Sequence, residues 1–301
     1  MTDKVNLTGG AQMSRIIHGQ MRMAAWKRTN HELLHFFEEL ADLGITTFDH
    51  ADIYGNYSCE ALLGEVMALK PGFRNRIEIV TKCGIKLMSD KFPERKVKHY
   101  DYSYEHIVGS VETSLRNFRT DRIDLLLLHR PAPFFDAEEV ACAFSDLHSA
   151  GKVLHFGVSN FLPVQFDLLQ SCMSQLLVTN QLEISPYCLE HFENGNLDFL
   201  YRQEIMPMAW SPMAGGRLYD PGDEKGQRIM RALSEVAAEV GTAHSDEVII
   251  AWLLMHPAGI LPVVGTGSME RIRQAIAARE LEMTLEQWYR IFIASRGREL
   301  P

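Results

Sequence analysis

Eight times along this chain a short apolar run is followed by a longer amphipathic stretch, a pattern that few architectures other than a covered parallel sheet can absorb. The units are SRIIHG with HELLHFFEELADLG, ITTFDH with CEALLGEVMAL, IEIVTKC with YEHIVGSVETSLRNF, and IDLLLLH with AEEVACAFSDLHSAG. They continue as VLHFGVSN with PVQFDLLQSCM, LLVTNQLEI with NLDFLYRQE, IMPMAWS with QRIMRALSEVAAEVG, and ILPVVG with ERIRQAIAARE. The runs lack polar alternation, as expected of strands buried on both faces. The longer stretches repeat apolar residues at three and four, Leu33, Phe36, Phe37 and Leu40 forming one such stripe. Right-handed crossovers close eight such units most naturally into an α/β fold of the (β/α)8 TIM barrel kind, an open doubly wound sheet being the competing solution. SDEVIIAWLLMHP and TLEQWYRIFIASR add two helices near the C-terminus. No linker composition interrupts the count, so one domain over residues 1–301 is expected.

Composition narrows the partners. The chain has 30 basic and 39 acidic residues, a formal charge of -9, which argues against nucleic acid and leaves any anionic cofactor to local groups. Five cysteines without CxxC spacing read as reduced thiols, and His31 and His35 lack an HExxH context, so no metal is expected. Without a signal-like N-terminus or a long apolar run, the expectation is a cytoplasmic protein that does not engage a membrane.

In a barrel of this kind, chemistry gathers where strands end. Asp49, Lys82 and His129 lie at or just past three such ends, with Tyr54 five residues beyond Asp49. Taken singly, each has an ordinary explanation: a turn cap, a snorkelling lysine, a buried histidine, a loop tyrosine; Asp52 rivals Asp49 as the carboxylate. Taken together they form a proton-delivering set. A tyrosine titrates near 10, and a cation within about 4–6 Å lowers that value. Lys82 is placed to act on Tyr54, Asp49 to hold Lys82 charged, and His129 to orient a carbonyl.

Such chemistry needs a borrowed hydride. No GxGxxG follows a strand, but GTGS, with Gly265, Thr266, Gly267 and Ser268, opens the last helix, and Arg271 adds a donor. Trp210 offers a stacking face. The segment Ser211, Pro212, Met213, Ala214, Gly215, Gly216, Arg217 and Leu218 follows, its glycines letting backbone approach a diphosphate. Met21, Arg22, Trp26, Tyr57, Phe134 and Phe135 are candidates for a substrate wall, and the long basic connection 84–103 for a lid.

DHADIYGNYSCEALLG, IVTKCG, DLLLLHRP, GKVLHFGVSNF, NQLEISPY and MAWSPM occur in that order, and on them the chain resembles the aldo-keto reductases from about residue 14 to 275, most closely bacterial oxidoreductases of the YdhF type. The resemblance implies a monomer that reduces small carbonyl substrates with NADP(H). It makes Tyr54 the proton donor, tuned by Lys82 and Asp49, with His129 orienting the carbonyl. It assigns Ser159, Asn160 and Gln181 to the nicotinamide carboxamide, Trp210 to ring stacking, Ser211 to Leu218 to the diphosphate, and the Gly265–Arg271 segment to the adenosine phosphate. His50 and Arg130 depart from the family pattern, which often has Thr or Ser and Trp there, so they bear on the substrate pocket. Val263 and Ala275 stand where the family often has Lys and Asn. A cofactor-sensing barrel with slow turnover and a Schiff-base aldolase using Lys82 are the competing functional readings.

Overall fold

All eight apolar runs become strands: Ile17–Gly19, Thr47–Asp49, Glu78–Cys83, Ile123–Leu128, Val153–Ser159, Leu177–Glu183, Met208–Trp210 and Leu261–Val264. They close into a parallel barrel with strands in chain order, as the sequence implies. The structure, a computed structural model, describes residues 4–301. Packing divides the chain into two compact units, Met1–Asn180 and Gln181–Pro301.

In the first unit, register decides what faces inward. Gly19 pairs with Asp49, Asp49 with Val80, and Lys82 with Leu127. The helix Asn30–Asp42 begins at a reciprocal cap in which Thr29 Oγ1 accepts from the Glu32 N–H and the Glu32 carboxylate accepts from the Thr29 N–H. Its apolar stripe, Leu33, Phe36, Phe37 and Leu40, is buried, with the Phe37 ring 5.1 Å from that of Phe48.

The helices Cys59–Ala68 and Tyr104–Phe118 pack closely. A Cβ at Gly64 would lie 1.9 Å from the Asn117 carbonyl oxygen, so only glycine permits this approach. Gly64→Ala is expected to lower stability by about 1–3 kcal/mol, seen as a reduced urea midpoint with an unchanged slope. Between these helices and the barrel, buried Glu60 accepts from Thr81 (2.7 Å), Ser114 (2.8 Å) and Asn117 (3.2 Å).

In the second unit, Gln181 pairs with Met208, Glu183 with Trp210, and Met208 with Leu261. The two additional helices are Ser245–Leu254 and Leu285–Arg296. Trp252 and Trp288 join them: their rings stack at 4.9 Å, and each indole N–H donates to the other's backbone carbonyl, at 3.1 and 3.0 Å.

Two features have no periodic signature in the sequence. Lys4–Asn6 pairs antiparallel with Gln12–Ser14, and within the 84–103 connection Ile85–Lys86 pairs with His99–Tyr100. Strands of two or three residues are too short for alternation to register. Among the described residues no helix is long and apolar enough to cross a membrane.

Candidate active site

Lys82 lies on the strand Glu78–Cys83, 1% exposed, its ammonium surrounded by acceptors. It donates to both Asp49 carboxylate oxygens at 2.8 Å, to the His50 carbonyl at 2.7 Å and to the Tyr54 hydroxyl at 3.2 Å. Asp49 ends the neighbouring strand and is itself buried. Tyr54 follows through the turn Ala51–Tyr57, where Gly55, Asn56 and Tyr57 are all left-handed, at φ 58°, 54° and 62°. Only the first of these is glycine, so the turn holds local strain fixed by its neighbours. Its supports are the Ser58 hydroxyl on the Gly55 carbonyl and, from the 84–103 connection, Asp90 and Ser89 on the Asn56 side chain. His129, just past Ile123–Leu128, places its ring 6.0 Å from that of Tyr54, edge to face. The four residues expected to act together are therefore together.

Their electrostatics are set by burial. Desolvation alone would depress the Lys82 ammonium, but the Asp49 carboxylate, and after it the Tyr54 oxygen, outweigh that and hold it above its ordinary value. Burial holds His129 well below its ordinary value, with Lys82, Arg130 and Lys98 adding positive field, so its imidazole is neutral at pH 7. For Tyr54 the expectation needs correcting. Lys82 does pull the phenol down, but burial pushes harder the other way and the net shift is upward. The cation thus moderates a raised value and does not make the phenol acidic outright. Tyr54 is a neutral O–H at physiological pH, the state in which it can donate.

Two groups already marked in the sequence, His50 and Asp52, carry buried polar atoms without partners, a state that spacing does not show. His50 is fully buried, neither ring nitrogen has a hydrogen-bond partner, and burial holds it well below its ordinary value. Asp52 has a buried carboxylate oxygen without a partner and is pushed well up by burial and then by Glu60, so it is held protonated toward neutrality. Only tertiary placement reveals either.

The other expected positions distribute as follows. In the first unit Ser159 is buried at the end of Val153–Ser159, and left-handed Asn160 (φ 61°) donates to its hydroxyl at 2.7 Å. Arg130 is half-buried, reaching the His129 carbonyl at 3.2 Å and the Ser159 hydroxyl at 3.5 Å. Tyr57 accepts from the Leu87 N–H at 3.0 Å and from Arg95 at 2.8 Å. Trp26 packs edge-on against His18 and Phe36. Phe135 sits between Tyr102 and Phe161. Its neighbour Phe134 is 95% exposed and Met21 52%, so neither forms the wall expected of it. Phe134 lies in a bend, and the half-buried Phe135 that follows it takes the inward place. Arg22 is also exposed.

In the second unit Gln181 is buried and Trp210 half-buried. Beyond Trp210, Ser211 and Ala214 are left-handed (φ 52° each), and Ala214–Gly216 forms a tight turn. Gly215 (φ 69°) has open space where a side chain would project, which suits backbone approach by a diphosphate. Ser211, Met213 and Gly216 are half-buried and Arg217 is exposed, while Pro212, Ala214 and Leu218 turn their side chains into the protein and can offer only backbone. Arg217 lies 4.2 Å over the Tyr187 ring, and Arg271 4.4 Å over Tyr219; neither aromatic was anticipated. Gly265 is exposed, with Thr266 and Gly267 half-buried after it. Thr266 Oγ1 accepts from the Ser268 N–H at 3.1 Å, and Ser268 caps Met269–Ala277 by accepting from the Arg271 N–H. Exposed Arg271, capping Ser268 and the open flank of Gly215 fit a nicotinamide dinucleotide.

A model of the aldo/keto reductase family matches residues 15–295. The chain is 49% identical to the uncharacterized oxidoreductase YcsN of Bacillus subtilis (strain 168), covering 99% of each chain. It is 47% identical to oxidoreductase YdhF of Escherichia coli (strain K12), covering 97% of each. Similarity at 44% identity, with 99% of each covered, extends to a 6-dehydroglucose reductase of Agrobacterium fabrum.

Proposed function

The chain belongs to the aldo/keto reductase family, and from that premise we propose that it reduces aldehyde or ketone carbonyls to alcohols, with NADPH as the hydride source and Tyr54 as the proton donor. The observation that carries this reading is the ammonium of Lys82, held at once by Asp49 and against the Tyr54 hydroxyl. A carbonyl oxygen gains negative charge as hydride reaches its carbon and must then take a proton. Tyr54 supplies one from a neutral hydroxyl. Lys82 stabilises the phenolate left behind, and Asp49 keeps Lys82 charged and aimed. His129, neutral, is suited to hydrogen-bond the carbonyl oxygen without competing as an acid. When bound, NADPH supplies the hydride. Gln181 with Ser159 and Asn160 would hold its carboxamide, Trp210 its ring, the 211–218 segment its diphosphate, and Ser268 with Arg271 its extra phosphate. Ser268 Oγ accepts a backbone N–H, which leaves its own proton to donate.

The geometry disfavours a Schiff-base role for Lys82, since an amine nucleophile needs a free lone pair and this ammonium is held charged among four acceptor atoms. The relatives named 6-dehydroglucose reductase suit a small, polar carbonyl substrate.

The test is cofactor oxidation followed spectrophotometrically against a panel of aldehydes and ketones, with NADPH and NADH in parallel. Turnover with NADPH favoured supports the reading; a bound cofactor that no carbonyl consumes would return the sensor alternative. The same assay tests the acid. His129 stays neutral down through its ordinary 6.5, and Tyr54 stays protonated up through its ordinary 10.0. Carbonyl reduction is therefore expected to be level in log kcat/KM between those values and to decline only on the alkaline side, where the phenol finally ionises. An alkaline decline centred near pH 8 would contradict the raised phenol.

A further inference from the structure

A tyrosine seldom takes the left-handed backbone that Tyr57 holds at φ 62°, directly after a left-handed Asn56 at φ 54°. Inside the turn the Tyr57 N–H donates to the Ile53 carbonyl at 3.3 Å and the Ser58 N–H to the Tyr54 carbonyl at 3.1 Å. Tyr54 and Tyr57 thus belong to one backbone unit, and a shift at one end carries to the other. Such a conformation persists only where its surroundings over-determine it.

The supports from the 84–103 connection differ in strength. Asn56 is exposed, so its bonds to Asp90 (2.8 Å) and Ser89 (2.7 Å) compete with water, as does the contact of exposed Lys91 with the Tyr57 carbonyl at 3.4 Å. Arg95 is different: its side chain is only 12% exposed. Its guanidinium lies 3.6 Å over the Phe92 ring and 5.7 Å over that of Tyr57, and those two rings meet edge to face at 4.9 Å. From this shielded place it donates to the Tyr57 hydroxyl at 2.8 Å and to the Leu87 carbonyl at 3.3 Å. The Leu87 N–H donates to the same hydroxyl at 3.0 Å. A charge-assisted hydrogen bond away from water is the strongest and most directional of these holds.

Leu87 directly follows the ribbon strand Ile85–Lys86, which itself continues the chain from the Lys82 strand, Glu78–Cys83. Arg95 therefore braces two arms against each other, one bearing the Tyr54 hydroxyl and the other the Lys82 ammonium. Those groups meet at 3.2 Å, the long end of the hydrogen-bond range, where a small slip breaks the contact.

Resting on the carbonyl-reductase reading above, we propose that Arg95 is a positioning residue for proton delivery: by bracing Tyr57 against Leu87 it sets how the Tyr54 hydroxyl meets the Lys82 ammonium. Its influence passes through the Tyr57 side chain and the left-handed turn to the acid.

The test uses the intact protein with NADPH and an aldehyde that it turns over. Arg95→Met keeps the length of the side chain and loses its donors. It should lower kcat about tenfold, as small misplacements of a reacting group do, with KM changed by less than about threefold. The solvent deuterium isotope effect on kcat should rise, because proton transfer then limits the rate. Arg95→Lys should regain about threefold of the loss, since an ammonium still offers donors to Tyr57 and Leu87. Tyr57→Phe removes the accepting oxygen and should match Arg95→Met, the double variant being no slower than either, as for two partners in one bond. Lys96→Gln, an exposed charge one residue along, should leave kcat unchanged. Parental kcat and isotope effect in a folded Arg95→Met protein overturn the proposal and leave the reductase reading standing. A loss that Arg95→Lys does not relieve, that adds to the loss in Tyr57→Phe, or that Lys96→Gln reproduces overturns it equally. If Arg95→Met does not fold, Tyr57→Phe decides, one oxygen being removed without a charge: parental kcat there overturns the proposal. Turnover of no carbonyl at all by the parent protein removes the reductase reading and the proposal with it.

Discussion

Tyr54→Phe is expected to cut kcat for carbonyl reduction by roughly 10²–10⁴-fold, the ordinary worth of a positioned general acid, while leaving the fold and cofactor binding nearly unchanged. The substitution removes one oxygen. Lys82 keeps both Asp49 contacts and the His50 carbonyl, so no buried charge is stranded, and the stability change should stay within about 1 kcal/mol. The measurement is single-turnover reduction of a test aldehyde by preloaded enzyme, with cofactor affinity taken separately from fluorescence quenching. Parental rates in a correctly folded Tyr54→Phe protein would assign the proton to another group.

Lys82→Met has the opposite character, damaging stability as well as activity. It leaves the Asp49 carboxylate buried with its ammonium gone, a circumstance that costs about 3–5 kcal/mol where one member of a buried pair is removed. A lowered urea midpoint is the expected reading. Combining it with Asp49→Asn should recover much of that loss, because the pair is then replaced by uncharged groups, and the recovery measures their coupling. Activity should not recover with it, since Tyr54 still lacks the cation that stabilises its phenolate. A double variant as unstable as Lys82→Met alone would mean that the lysine matters for packing and not for charge.

Much of this arrangement is legible in the sequence because it depends on periodicity. Asp49 and Lys82 occupy the ends of apolar runs, and a parallel barrel must bring such ends to one rim. Tyr54 and His129 follow at short intervals that leave them few other places to go. The extra helices were visible too, Leu285–Arg296 by its apolar stripe and Ser245–Leu254 by a continuous apolar run from Val248 to Leu254. What stayed hidden depends on distances between segments remote in the chain. The upward shift of Tyr54 is a balance between desolvation and one cation, and no spacing expresses how much protein surrounds an oxygen. Whether Phe134 or Phe135 faces inward turns on one peptide's orientation. The unpartnered His50 nitrogens and Asp52 oxygen lie in segments whose polar residues look ordinary until the barrel closes around them. Arg95 shows the limit most plainly: a loop has no period, so nothing foretold that it would reach back to Tyr57.

The backward-wound turn at Gly55–Tyr57 ties the long 84–103 connection of the first unit to the segment that carries Tyr54. Asn56 and Tyr57 hang from Ser89, Asp90, Leu87 and Arg95, and Tyr54, the proposed proton donor, sits two residues before Asn56. Lengthening or trimming that connection to admit a new compound would tug on the acid itself, so adaptation to new substrates and speed of reaction are mechanically yoked in this protein.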